Sequence, residues 1–175
     1  MSEIEQQKMI EVVLYILNKT GGLDYYRLFK ILYFANQRSL VDWGHPMTKD
    51  QFCALPHGPV PTGLYNTIKG ERMVIKDLSG SVDINEYVLL PKREADMDYL
   101  SGYDIEILDM CIPMYCNMSF SDLEKTSHTA CWEKARQKPG RHVIELADMA
   151  RDGGASESLI QYINEMTAFD ETCRC

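Results

Sequence analysis

Residues 23–40, "LDYYRLFKILYFANQRSL", decide the fold. Tyr25, Leu28, Ile31, Leu32, Phe34 and Ala35 cover most of a helical circumference, and Arg27, Lys30, Gln37 and Arg38 share one narrow polar strip. A helix that is apolar on nearly every side must be covered on nearly every side. This one is therefore expected at the centre of the core. Gly21-Gly22, just before it, reads as the end of an earlier helix over residues 4–18, because glycine enters the left-handed conformation that closes many helices. In that first helix Met9, Val13, Ile16 and Leu17 recur at helical spacing, while Glu5, Gln6 and Glu11 fall elsewhere on the wheel.

After the central helix the chain turns at residues 44–46 and runs into a short extended piece ending near Leu55. Residues 54–65, "ALPHGPVPTGLY", then pack three prolines, two glycines and His57 into a rigid knuckle. Pro61 starts a helix over 62–69, since the N–H it lacks has no partner in a first turn. Further on, "RMVIKDL" (72–78) and "NEYVLLP" (85–91) flank the turn-rich "SGSVDI" (79–84), the pattern of a β-hairpin. Beyond Pro91 helices return. Residues 104–115 carry Ile105, Leu108, Ile112 and Tyr115 at helical spacing, with Pro113 to kink or end them. Ser119 or Ser121 caps a helix in "SFSDLEKTSH", and a last amphipathic helix starts near Ser156. The expected fold class is α+β, mainly helical: a single domain over residues 1–170 with a small antiparallel β-hairpin or sheet packed on a helical core, and a tail at 171–175.

At 175 residues, 45% hydrophobic and 25% charged, the chain suits one ordinary core that needs no disulfide or metal to fold. No apolar run approaches the roughly 18 residues of a membrane span, and the N-terminus breaks its apolar residues with Glu, Gln and Lys. Neither a signal peptide nor a membrane contact is expected. The reading is cytoplasmic, with the six cysteines reduced. A net charge of −8 argues against a dedicated nucleic-acid binder, which needs clustered Lys and Arg. The sum hides an asymmetry, though: residues 19–76 hold eight basic and four acidic side chains, a balance of +4, and residues 77–175 hold nine and nineteen, a balance of −10.

A search for reaction chemistry finds little. Asp50, Cys53 and His57 are close enough in sequence to sketch a cysteine-dependent hydrolase, but no nucleophile signature surrounds the cysteine. His128 and Cys131 lie on one helical face near Cys111 and Cys116, without the paired spacing of a zinc site, and the terminal "CRC" is an isolated pair. Phosphate-binding glycine loops are missing. No catalytic residue, metal or cofactor is expected. Trp132 in "HTACWEKAR" reads as packing of a helix against the hairpin or as a partner-facing anchor, and Tyr25, Tyr33 and Tyr65 read the same two ways.

The motifs themselves resemble the Panacea domain family of SocA-like antitoxins, often labelled phage-associated. The resemblance rests on Lys30-Ile31-Leu32-Tyr33-Phe34-Ala35 in the helix and on Gly44, Pro46, Met47 and Thr48 in the loop. It continues through Phe52 and Ala54, Gly58-Pro59-Val60, and Leu64-Tyr65. It is strong over about residues 10–70 and weaker on to "HTACWEKAR". His57 stands where an aromatic is commonest, and Leu55-Pro56 replaces a bulkier pair. The resemblance implies an antitoxin that binds a toxin protein, usually encoded beside it. For the SocA-like branch it implies an adaptor that delivers the toxin to an AAA+ protease such as ClpXP. Lys30, Tyr33, His57, Gly58, Pro59, Val60, Tyr65 and Trp132 are the residues expected to form the binding surface or its scaffold. The stiffness of the knuckle fits a preorganised binding edge or a lock between strand and helix, and Lys30 fits either a brace for the knuckle's carbonyls or a contact to a toxin carboxylate. A DNA-binding regulator is the alternative drawn from the wing-like hairpin and the +4 region.

Overall fold

A computed structural model describes residues 1–172 of the chain. In chain order its elements are α1 (Glu3–Thr20), β1 (Leu23–Asp24), α2 (Tyr25–Trp43), β2 (Phe52–Leu55), β3 (Gly58–Pro61), α3 (Thr62–Lys69), α4 (Leu78–Ser81), β4 (Val82–Asn85), β5 (Val88–Pro91), α5 (Gly102–Tyr115), α6 (Phe120–Ser127), α7 (Ala130–Gln137), α8 (Leu146–Asp152) and α9 (Glu157–Thr172). The architecture is mainly helical α+β with two small antiparallel sheets. The expected domain limits bear on residues to 175, of which 173–175, with the terminal Cys173 and Cys175, lie outside the described residues.

α2 occupies the centre, as its periodicity demands, and β3, α5, α6 and α8 pack around it. Its Leu28, Phe29, Ile31, Leu32, Tyr33, Ala35 and Leu40 are all buried. The Asp24 carboxylate accepts the Arg27 N–H at the N-cap, and Gly44, at φ 71°, closes the other end with an N–H to the Leu40 carbonyl. Of the polar strip only Arg38 is exposed as a helical wheel implies. Lys30 is fully buried, Arg27 donates to the Met118 carbonyl, and Gln37 donates to the Met149 carbonyl. Glu11 on α1 is likewise fully buried rather than on an outer face: it accepts from both Arg93 guanidinium nitrogens and from the Asp96 N–H. Burial alone would raise the Glu11 carboxyl, and these donors hold it below the usual range instead.

The second hairpin needs a correction. The expected first arm, 72–78, is not a strand. β4 pairs with β5 through a two-residue turn at Glu86-Tyr87, and β5 also pairs with β1. Thr67 Oγ1 takes the Val74 and Ile75 N–H groups, and Asp77 turns the chain at φ 61° into α4. Those two apolar residues therefore join no ladder. Downstream the expectations match more closely: Ser119 caps α6, Pro113 stands in the last turn of α5, and α9 begins one residue after Ser156. α8, which had no expectation, is a seven-residue helix. Among the described residues no helix is long and apolar enough to cross a membrane.

Candidate docking surface at the β2–β3 turn

The knuckle is itself a hairpin, with Pro56-His57 as its two-residue turn between β2 and β3. Three prolines argue against a strand, yet two of them cost no ladder bond. Pro59 and Pro61 lie opposite Ala54 and Phe52, which bond on their other edge: the Ala54 N–H donates to the His142 carbonyl and the Phe52 carbonyl accepts from the Ile144 N–H, each at 2.9 Å.

Side chains from two helices, α2 and α7, satisfy the carbonyls that remain. Lys30 Nζ donates to the His57 carbonyl at 2.9 Å and to the Pro59 carbonyl at 3.1 Å. Trp132 Nε1 donates to the Leu55 carbonyl at 3.0 Å, Tyr26 Oη to the His57 carbonyl at 3.2 Å, and Arg136 to the Ala54 carbonyl at 3.4 Å. Gly58 sits at φ 105° with Lys30 Nζ and Ser127 Oγ so close that an added Cβ would lie 2.6 Å from that oxygen. Only glycine fits there. Asp50, expected at the margin of a catalytic trio, instead accepts the N–H groups of Gly63 and Leu64, each at 2.9 Å, at the start of α3. Burial raises its carboxyl despite these donors.

The electrostatics follow from burial. Removal from water pushes the Lys30 ammonium down to about 7, against a weaker upward pull from Glu124. Its Nζ also lies 4.8 Å from the Tyr26 ring centroid. Desolvation, then the Glu124 charge, push the Tyr26 hydroxyl up to about 12. At the tip of the turn His57 is 70% exposed, and its Nδ1 meets Glu124 Oε1 at 2.9 Å, which holds that carboxylate below its ordinary range.

On the outside of this clamp aromatic rings gather. Tyr26 and Phe120 stack with centroids 4.1 Å apart, His57 meets Phe120 edge-on at 5.5 Å, and Tyr25 lies 5.9 Å from Tyr87. With Asp24 these residues line one shallow depression. Phe120 is 46% exposed and Tyr87 62%, and Val88 and Leu90 continue the apolar surface outward along β5. Lys69 Nζ donates to Tyr25 Oη at 2.8 Å and hangs 4.5 Å from the Tyr25 centroid and 5.7 Å from that of Tyr87.

The expected residues divide by depth. Tyr33, Gly58, Pro59 and Val60 are buried, with Tyr33 Oη 3.2 Å from Cys131 Sγ. Tyr65 is half-buried with its ring 6.2 Å from Phe29. Trp132 is half-buried against β2 of the first hairpin, not against the 72–91 segment, and stacks on His128 at 3.8 Å. Of the eight, His57 alone is fully on the surface. Tyr26, Phe120, Tyr87 and Lys69 were missed. The tandem Tyr25-Tyr26 at a helix start and an exposed Phe120 directly after its cap were the available signals. Cys53 is buried and shares no hydrogen bond with His57, so the hydrolase trio is not assembled. Among the described residues no three His, Cys, Asp or Glu side chains converge on a possible metal site.

The family described as "Antitoxin SocA-like, Panacea domain" matches residues 28–133, which begin in α2 and end in α7 just past Trp132. Antitoxin SocA of Caulobacter vibrioides is 30% identical over 141 residues, covering 73% of this chain and 70% of that protein. No solved structure matches. The chain thus belongs to the SocA-like antitoxin family that carries the Panacea domain.

Proposed function

We propose that the protein is the antitoxin of a toxin–antitoxin pair and neutralises its toxin by direct binding, in the cytoplasm, without a catalytic step. The observation that carries this reading is the disposition of the family's own motif. Lys30, Gly58, Pro59 and Trp132 are spent on clamping a proline-rich turn, and the outer side of that clamp is an exposed aromatic patch. A rigid scaffold under exposed Tyr and Phe loses little entropy on association, which suits it to protein recognition. The relative's name, an antitoxin, supports the same role.

The test is co-expression with the product of the adjacent gene. Rescue of growth together with co-purification is expected, and a toxic neighbour that this chain neither binds nor silences overturns the reading. The adaptor role adds one expectation, faster toxin turnover when an AAA+ protease such as ClpXP is present. Equal toxin lifetimes with and without the protease leave sequestration as the mechanism.

A further inference from the structure

The aromatic patch has an unbalanced charge. Two carboxylates beside it are already engaged: Asp24 caps α2 and pairs with Arg27 at 2.7 Å, and Glu124 pairs with His57. Its cation is not. Lys69 Nζ is held by the Tyr25 hydroxyl between two aromatic faces, and among the described residues no carboxylate lies within ion-pair distance of it. The Tyr25 hydrogen bond raises the Lys69 pKa, so the ammonium stays charged. Arg136, on the other flank of the β2–β3 turn, likewise has a carbonyl and an indole ring as partners and no carboxylate. Lys69 and Arg136 are thus cations without a carboxylate partner, Lys69 beside exposed aromatic rings.

We propose that the patch docks an acidic segment of the bound protein. An aromatic or aliphatic side chain of that segment sits among Tyr26, Tyr87 and Phe120, and a neighbouring carboxylate pairs with Lys69. Charge complementarity selects this occupant. A basic segment would meet the Lys69 ammonium with Asp24 and Glu124 already paired, whereas a carboxylate completes an ion pair for a side chain that two tyrosines hold in place. The apolar anchor supplies the burial and the ion pair supplies the register.

This inference rests on the reading that the protein neutralises a partner by binding it, and its test separates the two. The probe is the product of the adjacent gene, with affinity measured at two salt concentrations. Lys69→Glu and Phe120→Ala are each expected to weaken the complex at least tenfold with thermal unfolding unchanged. Lys69→Met is expected to weaken it less and to flatten its salt dependence. Lys76→Glu makes the same charge change beside Gln6 on α1 and is expected to leave binding as it was. Wild-type affinity in both Lys69→Glu and Phe120→Ala overturns the docking assignment while the function reading stands. A salt-insensitive complex that Lys69→Met leaves unweakened overturns the carboxylate. Failure of the unmodified chain to bind removes the function reading, and this one with it.

Discussion

The two hairpins have the same plan, four-residue strands joined by a two-residue turn, and opposite surroundings. In β2–β3 seven of the eight strand residues are buried, and donors from α2 and α7 reach into the backbone. In β4–β5 the buried residues are Val82 and Leu89, one in each strand, and the other face looks to solvent. The first is held by side chains around it and the second by its own ladder and β1. A hairpin gripped from outside can carry prolines and a surface site on its turn without being remodelled when a partner arrives. A hairpin that stands on its ladder keeps the ordinary alternation of one buried and one wet face.

The contrast breaks most sharply at the two turns. Gly58→Val puts a branched side chain at φ 105° against Lys30 and Ser127, and we expect a loss of about 3 kcal/mol or more by urea unfolding, enough to abolish soluble protein if the fold is marginal. A loss under about 1 kcal/mol would mean that the clamp is soft and that the stiffness of the turn comes from its prolines alone.

Lys30 offers a second way in, through pH. An unfolded lysine keeps its proton to about 10.5, and the buried one releases it near 7. Between those values the unfolded chain binds more protons, so the Lys30 contribution to stability rises with pH, steepest at about 1.4 kcal/mol per pH unit, and is lost as pH falls towards 7. Below that it is flat. Lys30→Met leaves the His57 and Pro59 carbonyls without this donor, and the gap between wild type and variant should widen from pH 7 to 9. Cys111 and Cys131, whose thiols burial pushes up to about 11, are present in both proteins, so their titration drops out of the gap. Parallel stability profiles for the two proteins would show that Lys30 keeps its proton in the folded state.

The same residues explain how much the sequence could show. The central helix was legible because its apolar positions nearly close the wheel, and the cap of α6 because a Ser stands where the first free N–H groups lie. Lys30 was ambiguous for a physical reason: a lysine on a polar strip looks the same whether the strip meets water or the carbonyls of a strand folded back from 27 residues away. The knuckle hid its strands because proline argues against a ladder, and the bonds that excuse Pro59 and Pro61 come from residues 142–144. Val74 and Ile75 hid in the opposite sense, apolar and β-branched, yet held by the Thr67 hydroxyl. The aromatic patch collects Tyr26, His57, Tyr87 and Phe120 from four separate segments, and no spacing along the chain connects them.

The smallest expected effect is at the turn of the second hairpin, and its sign matters more than its size. Glu86 occupies φ 54° with a side chain that is exposed and has no carbonyl or cation to hold. A left-handed residue with a Cβ is strained by about 1 kcal/mol, and glycine removes that strain while adding freedom to the unfolded chain. Glu86→Gly should therefore stabilise the protein by up to about 1 kcal/mol in urea unfolding, where the glycine-to-valine change at the first turn destabilises it severely. Both positions have positive φ, 54° at Glu86, within the left-handed well, and 105° at Gly58, beyond it. They differ as well in what surrounds them: Gly58 has an ammonium and a hydroxyl where a Cβ would go, and Glu86 is exposed. If Glu86→Gly were instead strongly destabilising, the second turn would be held by contacts of its own, and the division between a gripped hairpin and a free-standing one would fail.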